Sequence, residues 1–211
     1  MFTGLVVASA SVLTVESFPT GGRRIAVRWP DGLARPRAGD SIAVDGVCLT
    51  ARPGRGRSVG FDLSPETLAR TTLGTVRPGR RVHLEPSLTL RSPLGGHFLT
   101  GHVDAVGRVR ARTPMGEAFL RLDIDVPRAL LPLIAVKGSL AVDGVSLTVN
   151  EKRGAQVSFM IVPHTLAVTR LGAYRTGTRV NLEVDLIARY VHAALEARFG
   201  SSRDERPRSK R

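Results

Sequence analysis

The chain repeats itself at a fixed spacing, and this fact constrains its fold more than any other. Slid by 98 residues, Ser41-Ile42-Ala43-Val44-Asp45-Gly46-Val47-Cys48-Leu49-Thr50 falls on Ser139-Leu140-Ala141-Val142-Asp143-Gly144-Val145-Ser146-Leu147-Thr148, with eight of ten positions identical. The same offset lays Phe61, Pro65, Thr67, Leu68, Ala69, Thr71, Leu73 and Gly74 on Phe159, Pro163, Thr165, Leu166, Ala167, Thr169, Leu171 and Gly172. Gly79, Arg81, Val82, Leu84 and Glu85 likewise fall on Gly177, Arg179, Val180, Leu182 and Glu183. At an offset of 97, Phe2-Thr3-Gly4-Leu5-Val6 meets Leu99-Thr100-Gly101-His102-Val103. A missed repeat misassigns a whole fold, whereas one found this clearly predicts two copies of one small domain. The division predicted is residues 1–97, residues 98–185, and a segment from 186 to 200 that has no counterpart in the first copy.

Within each copy the apolar runs are short, rich in Val, Ile and Leu, and punctuated by Gly, Pro and Asp, as in Arg24–Trp29 and Leu120–Val126. Such runs read as strands. Several strands in fewer than 100 residues suggest an all-β unit that is a closed or nearly closed barrel, the arrangement that removes vulnerable edges. Ser64–Leu73 and Pro163–Leu171 are short helix candidates, with Pro65 and Pro163 in the first turn. From Leu186 to Phe199 the apolar residues Leu186, Ile187, Tyr190, Val191, Ala194, Leu195 and Ala197 take helical spacing. That stripe most simply packs on a barrel; joining subunits is the alternative.

The formal charge of +13 raises the question of nucleic acid, but the excess is diffuse, +6 over residues 1–97 and +7 over 98–211. The one dense run, 201–211, is polar, lacks apolar periodicity and reads as a disordered basic tail. A nucleic-acid-binding barrel would need clustered basic and aromatic side chains, and the ten aromatic residues are scattered. No stretch approaches the roughly 18 apolar residues of a membrane span, so a soluble, unexported protein is expected. The single cysteine, Cys48, forms no internal disulfide and suits a reducing compartment.

Glycine-rich phosphate loops, paired-cysteine zinc motifs and the Gly-x-Ser-x-Gly elbow are all missing from the chain. What stands out is a pair of equivalent positions that differ, Cys48 in copy one and Ser146 in copy two. Cys48 reads equally as a small buried hydrophobe, Ser146 as a core hydroxyl, and Asp45 and Asp143 as turn residues ahead of glycine. His97 and His102 flank the junction of the copies beside Gly95-Gly96, glycines that permit close backbone approach. A metal site there lacks a third ligand, and no metal is expected.

Met1-Phe2-Thr3-Gly4-Leu5-Val6, the twin Asp-Gly-Val-x-Leu-Thr motifs, Gly95-Gly96-His97 with Thr100-Gly101-His102-Val103, and Val162-Pro163-His164-Thr165 together resemble riboflavin synthase of the α-subunit type, a lumazine-binding tandem-barrel family. The resemblance spans residues 1 to about 191. It implies two tandem six-stranded Greek-key barrels, a C-terminal trimerisation helix and a cytoplasmic homotrimer whose active sites form between one subunit's first barrel and another's second. It implies the dismutation of two 6,7-dimethyl-8-ribityllumazine molecules to riboflavin and 5-amino-6-ribitylamino-uracil, with no cofactor, and association with lumazine synthase. Two like pockets suit a reaction between two identical molecules, because they fix mutual orientation in advance.

Carried over to this chain, the ligand contacts fall at Gly4, Leu5 and Val6; Cys48, Leu49 and Thr50; Asp62, Leu63, Ser64 and Thr67; and Gly101, His102 and Val103. The others are Lys137; Ser146, Leu147 and Thr148; and Met160, Ile161, Val162, Pro163, His164 and Thr165. For the chemistry, Cys48 is the candidate nucleophile or hydrogen-bonding group, and Ser146 with His102 the pair handling protons at the second half-site. Ser41, Thr148 and Asp185 are supporting candidates, Asp185 being matched only by Ser87 in the first copy. The alternative function is a non-catalytic lumazine- or flavin-binding protein of the same fold.

Overall fold

The computed structural model describes residues 1–19 and 21–199. The basic tail expected at 201–211 lies outside the described residues. The first copy contributes β1 (Ala8–Ser17), β2 (Arg23–Arg28), β3 (Ser41–Val44), β4 (Val47–Pro53), β5 (Ser58–Leu63) and β6 (Arg81–Pro86). The second contributes β7 (Ala105–Met115), β8 (Phe119–Asp125), β9 (Ser139–Val142), β10 (Val145–Arg153), β11 (Gln156–Ile161) and β12 (Arg179–Val184). Each set closes into an antiparallel barrel, in the cyclic orders β1-β2-β5-β4-β3-β6 and β7-β8-β11-β10-β9-β12, which are the same order element for element. Each barrel holds its own core, around Val27, Phe61 and Leu84 in the first and Ile124, Phe159 and Leu182 in the second. Period-two alternation sends these residues inward and the polar ones out.

The helix candidates form, but shorter than expected. α1 (Pro65–Arg70) and α2 (Pro163–Val168) each stop at a threonine in extended conformation, and a 3₁₀ turn follows (Thr72–Thr75 and Leu171–Ala173). The Thr71 hydroxyl donates to the Thr67 carbonyl and accepts from Leu73 N–H, and Thr169 does the same with Thr165 and Leu171. A hydroxyl that serves the main chain in this way competes with helix continuation.

α3 (Leu186–Phe199) forms where its periodicity placed it, capped by Asp185, whose carboxylate accepts Ile187 N–H at 2.9 Å. The expectation that its stripe packs on a barrel is overturned. None of its residues is buried, and Ile187, Tyr190, Val191 and Leu195 are each at least half exposed. Arg189 ties its first turns to Asp104 at 2.8 Å, leaving the apolar side outward. Among the described residues no helix is long and apolar enough to cross a membrane.

The two barrels meet through their Asp-Gly turns. Asp45-Gly46 and Asp143-Gly144 take left-handed conformations, as two-residue hairpin turns require, and a Cβ on Gly46 would lie 2.7 Å from Gly144 N. The aspartates are in turns as expected, yet both carboxylates are buried. Asp45 accepts His83 N–H and Asp143 accepts Asn181 N–H, each at 2.7 Å. Arg170 reaches from the second copy to Asp45 at 2.7 Å, Arg80 reaches it at 3.2 Å, and the Tyr174 hydroxyl donates to Asp143. Desolvation, and then the charge of Asp45, raise the Asp143 carboxyl above the ordinary range.

His83 and Asn181 are repeat equivalents that perform one task with different chemistry. His83 Nε2 accepts Arg170 N–H at 2.8 Å, and Asn181 Oδ1 accepts Thr72 N–H at 2.7 Å. His83 Nδ1 lies 2.9 Å from the Asp143 carbonyl, and Asn181 Nδ2 donates to the Asp45 carbonyl at 2.8 Å. These partners require a neutral imidazole protonated on Nδ1, and burial depresses its pKa to about 4.

Candidate functional site: two half-sites on the barrel walls

Register places the motif residues on the outside of each barrel. Along β4, Val47, Leu49 and Ala51 are buried, while Cys48 and Thr50 alternate outward, opposite Ala43 and Ser41 on β3. Along β10, Ser146 and Thr148 take the same places, opposite Ala141 and Ser139. Ala43 and Ala141 pack with Phe2 and Leu99 into a small cluster between the barrels, against which Cys48 rests, half-buried. The packing reading of Cys48 is therefore correct in part.

Each half-site is completed by the entry segment of the other copy. Ser146 N–H donates to the Gly4 carbonyl at 2.8 Å, and Cys48 N–H to the Gly101 carbonyl at 2.9 Å. Val6 packs against the core of the second barrel and Val103 against that of the first. Both glycines sit at φ +77°, and a Cβ there would come within 2.6 Å of Ser146 Cβ or 2.5 Å of Cys48 Cβ. Buried glutamates anchor the segments: Glu85 accepts from Thr3 N–H and hydroxyl at 2.7 Å and Gly4 N–H at 3.0 Å, and Glu183 accepts from Thr100 and Gly101. Burial raises the Glu85 pKa, with the bonds from Thr3 and Gly4 opposing it. Phe2 and Leu99 bond to each other across the junction at 2.8 and 3.0 Å, and Gly96 lies so close to the Thr3 carbonyl that a Cβ would overlap it. That is the close approach for which the paired glycines were read.

In the first half-site a cavity of about 420 Å³ is lined by Cys48, Thr67, Arg70, Gly101, His102 and Val103 among others. Its walls thus come from α1, β4 and the second copy's entry segment. In the second half-site the Ser146 hydroxyl lies 2.7 Å from His97 Nδ1. His97 is buried, which lowers its pKa against the raising charge of Asp185, and its Nε2 has no hydrogen-bond partner among the described residues. A neutral imidazole held against a hydroxyl can accept its proton or orient its lone pair. The expected pairing of Ser146 with His102 is corrected by this geometry: His102 stands beside Cys48, because its segment crosses to the first barrel, and His97 is the partner of Ser146.

The remaining candidates divide by exposure. Thr50, Ser64, Leu5, Thr148, Met160, Val162, Pro163 and His164 are on the surface, Thr165 is partly covered, and Ser64 caps α1 by accepting Thr67 N–H. Leu49, Leu63, Leu147 and Ile161 put their side chains into the barrel cores. Asp62 is clamped by Arg24 and Arg52, and its hydrogen bond from Arg24 lowers its pKa. Lys137 is exposed at φ +68°. Ser41 lines a separate cavity of about 420 Å³ with Trp29, Leu33 and Pro86. Sequence reasoning missed the Glu85 and Glu183 anchors, although both lay in an aligned block.

The family model described as "Lumazine binding domain" matches residues 3–87 and 100–185. A riboflavin synthase of Mycobacterium tuberculosis is 41% identical over 204 residues, spanning 93% of this chain and 99% of that protein. One of Bacillus subtilis is 32% identical over 92% of this chain and 90% of its own length. Among solved structures, LumP complexed with riboflavin superposes with a TM-score of 0.80 at 27% identity, over 87% of this chain and 99% of that one. LumP complexed with 6,7-dimethyl-8-(1'-D-ribityl) lumazine gives a TM-score of 0.78 at 26% identity. With the repeat, the twin barrels and both half-site motifs in agreement, the chain belongs to the riboflavin synthase family of lumazine-binding proteins.

Proposed function

We propose that this chain is the transferase that dismutates two molecules of 6,7-dimethyl-8-ribityllumazine, one giving a four-carbon unit to the other, to form riboflavin and 5-amino-6-ribitylamino-uracil. The observation that carries the reading is near full-length agreement with riboflavin synthases in a chain that keeps both half-sites. The reaction balances between two identical substrates, so it calls for no added redox partner. Proton loss from the methyl on carbon 7 gives an anion spread over the pteridine, which polar groups aimed at the ring stabilise. Ser146, with neutral His97 behind it, takes that proton in the second half-site, and Asp185 offsets the charge gained by the imidazole. Cys48, with His102 beside it, serves the first half-site as nucleophile or hydrogen-bonding group toward carbon 7 of the partner substrate. Thr50, Thr67, Thr148, Lys137, Ser41 and the 160–165 segment hold the ring and ribityl chains.

The same reading takes residues 1–97 and 98–185 as the two lumazine-binding units. It makes the active unit a cytoplasmic homotrimer, with the first barrel of one subunit facing the second barrel of another. The outward apolar side of α3 supports that assembly, and the lone half-buried Cys48 suits a reducing compartment. Association with lumazine synthase, whose product would be the substrate, is part of the proposal. A non-catalytic lumazine carrier is the second reading, favoured by the superposition on LumP. Incubation with 6,7-dimethyl-8-ribityllumazine alone decides: riboflavin and the pyrimidine should appear in equal amounts, whereas tight binding without product would establish the carrier.

A further inference from the structure

On the contact between the barrels lies a cavity of about 510 Å³ that the proposed reaction does not use. It is lined by Thr72, Thr75, Arg80 and Arg81 from the first copy and by Arg170, Ala173, Thr178 and Arg179 from the second. Those four pairs are repeat equivalents at an offset of 98, so the cavity lies where the two copies present the same face to each other. The chemistry of that face is basic. Four guanidiniums line it, against one lining carboxylate, Asp143, with Asp45 behind. Asp45 accounts for Arg80 and one nitrogen of Arg170, whereas Arg81 and Arg179 pair with no carboxylate among the described residues. Arg170 spends Nη2 on Asp45 and Tyr174, which leaves its Nε and Nη1 without an acceptor among the described residues. Thr72 and Thr178 also line the walls, their hydroxyls accepting from Arg80 and from Arg175 N–H and each keeping a proton to donate, whereas Thr75 gives its proton to the Thr72 carbonyl.

Guanidiniums with unused donors, flanked by hydroxyls in a recess between two domains, are the chemistry that recognises a tetrahedral oxyanion. We propose that this inter-barrel cavity binds a phosphate group, free or carried as a monoester by a small hydroxylated molecule, with Arg81, Arg170 and Arg179 as its cationic contacts. The volume exceeds what a bare phosphate fills, which leaves room for the organic part of a monoester. A ligand held by both copies strengthens their contact, and anything that binds only the folded state raises stability by mass action. The same turns lead from the cavity into the strands of the half-sites, Asp45 standing three residues before Cys48 and Asp143 three before Ser146.

The test is thermal unfolding and titration calorimetry of the full chain with sodium phosphate, ribose 5-phosphate and sodium chloride at matched ionic strength. Phosphate or its monoester should raise the melting temperature in a saturable way that chloride does not reproduce. A tighter constant for ribose 5-phosphate would identify a monoester site, and equal constants an orthophosphate site. Arg179→Gln, at a side chain that makes no hydrogen bond or ion pair among the described residues, should weaken binding about tenfold, the loss expected for one charge-assisted contact. Arg81→Gln in the same chain should weaken it further. Stabilisation equal to that of chloride, or unchanged in the Arg179→Gln chain, would overturn the proposal. So would displacement of phosphate by saturating 6,7-dimethyl-8-ribityllumazine, which would place the anion in the substrate site instead.

Discussion

The two barrels share one topology, one anchoring scheme and one exchange of entry segments, yet they differ where protons can move. Beside Cys48 stands His102, whereas the equivalent of His102 beside Ser146 is Leu5. Ser146 instead touches His97, a residue that lies just ahead of the second copy. At the contact between barrels, His83 and Asn181 make equivalent bonds with one titratable ring and one amide. Duplication supplied two equal frames, and the frame tolerates exchange wherever hydrogen-bond geometry alone is at stake. The chemistry differs at single matched points, Cys48 against Ser146 and His102 against Leu5, and at His97, which lies outside the matched segments.

The comparison breaks most severely at the crossing glycines. Gly101→Ala and Gly4→Ala each place a methyl inside a neighbouring motif at a left-handed residue, and should cost about 4 kcal/mol each by the sum of strain and overpacking. Denaturant unfolding measures this; a cost confined to one of the two would show that the exchange is not symmetric in energy. Next is acid stability. His83 has a folded pKa of about 4 against an ordinary 6.5, so its neutral form supports the fold fully above 6.5 and that support is lost as pH falls toward 4. The loss amounts to about 3 kcal/mol at most. His83→Asn copies Asn181 and should flatten the stability profile over that range; an unchanged slope would clear His83 of the effect.

Smaller again is the kinetic contrast between the half-sites. Ser146→Ala should lower kcat about a hundredfold with little change in KM, the range for losing a positioned proton acceptor, and His97→Gln should match it. Cys48→Ser, which makes the first copy read like the second, should be milder than Cys48→Ala if Cys48 acts by hydrogen bonding and equally severe if it attacks covalently. The smallest effect on folding belongs to α3. Val191→Glu with Leu195→Glu should shift the unfolding free energy of the isolated chain by no more than about 0.5 kcal/mol. If the proposed trimer forms through α3, sedimentation should nevertheless find this variant monomeric where the parent chain is trimeric, and an assembly that the substitutions leave unaltered would exclude α3 from it.

Much of this was legible in the chain. The repeat located both barrels, and the periodicity of 186–199 located α3, because both signals are local. The position of difference, Cys48 against Ser146, was visible for the same reason. The partner of Ser146 was not, since His97 lies 49 residues away and acquires meaning only when the entry segments cross. Asp45 and Asp143 look like any exposed Asp-Gly turn, and nothing local announces that two such turns will be pressed together and buried. The break in α1 and α2 depends on where a threonine hydroxyl finds its partners, which composition does not reveal. The outward stripe on α3 reads the same in sequence whether its cover is a barrel or another subunit.

The crossing of entry segments also bears on how the chain is made. When the first 97 residues have left the ribosome, the amide of Cys48 still lacks the Gly101 carbonyl, and Val6 has no second barrel to rest on. The first copy must wait, with its half-site open, for a segment that has yet to be synthesised. Newly made chains therefore carry that open half-site until residue 103 is free to dock, and a slow stretch of translation after that point, before the similar strands from Ala105 onward emerge, would favour correct assembly.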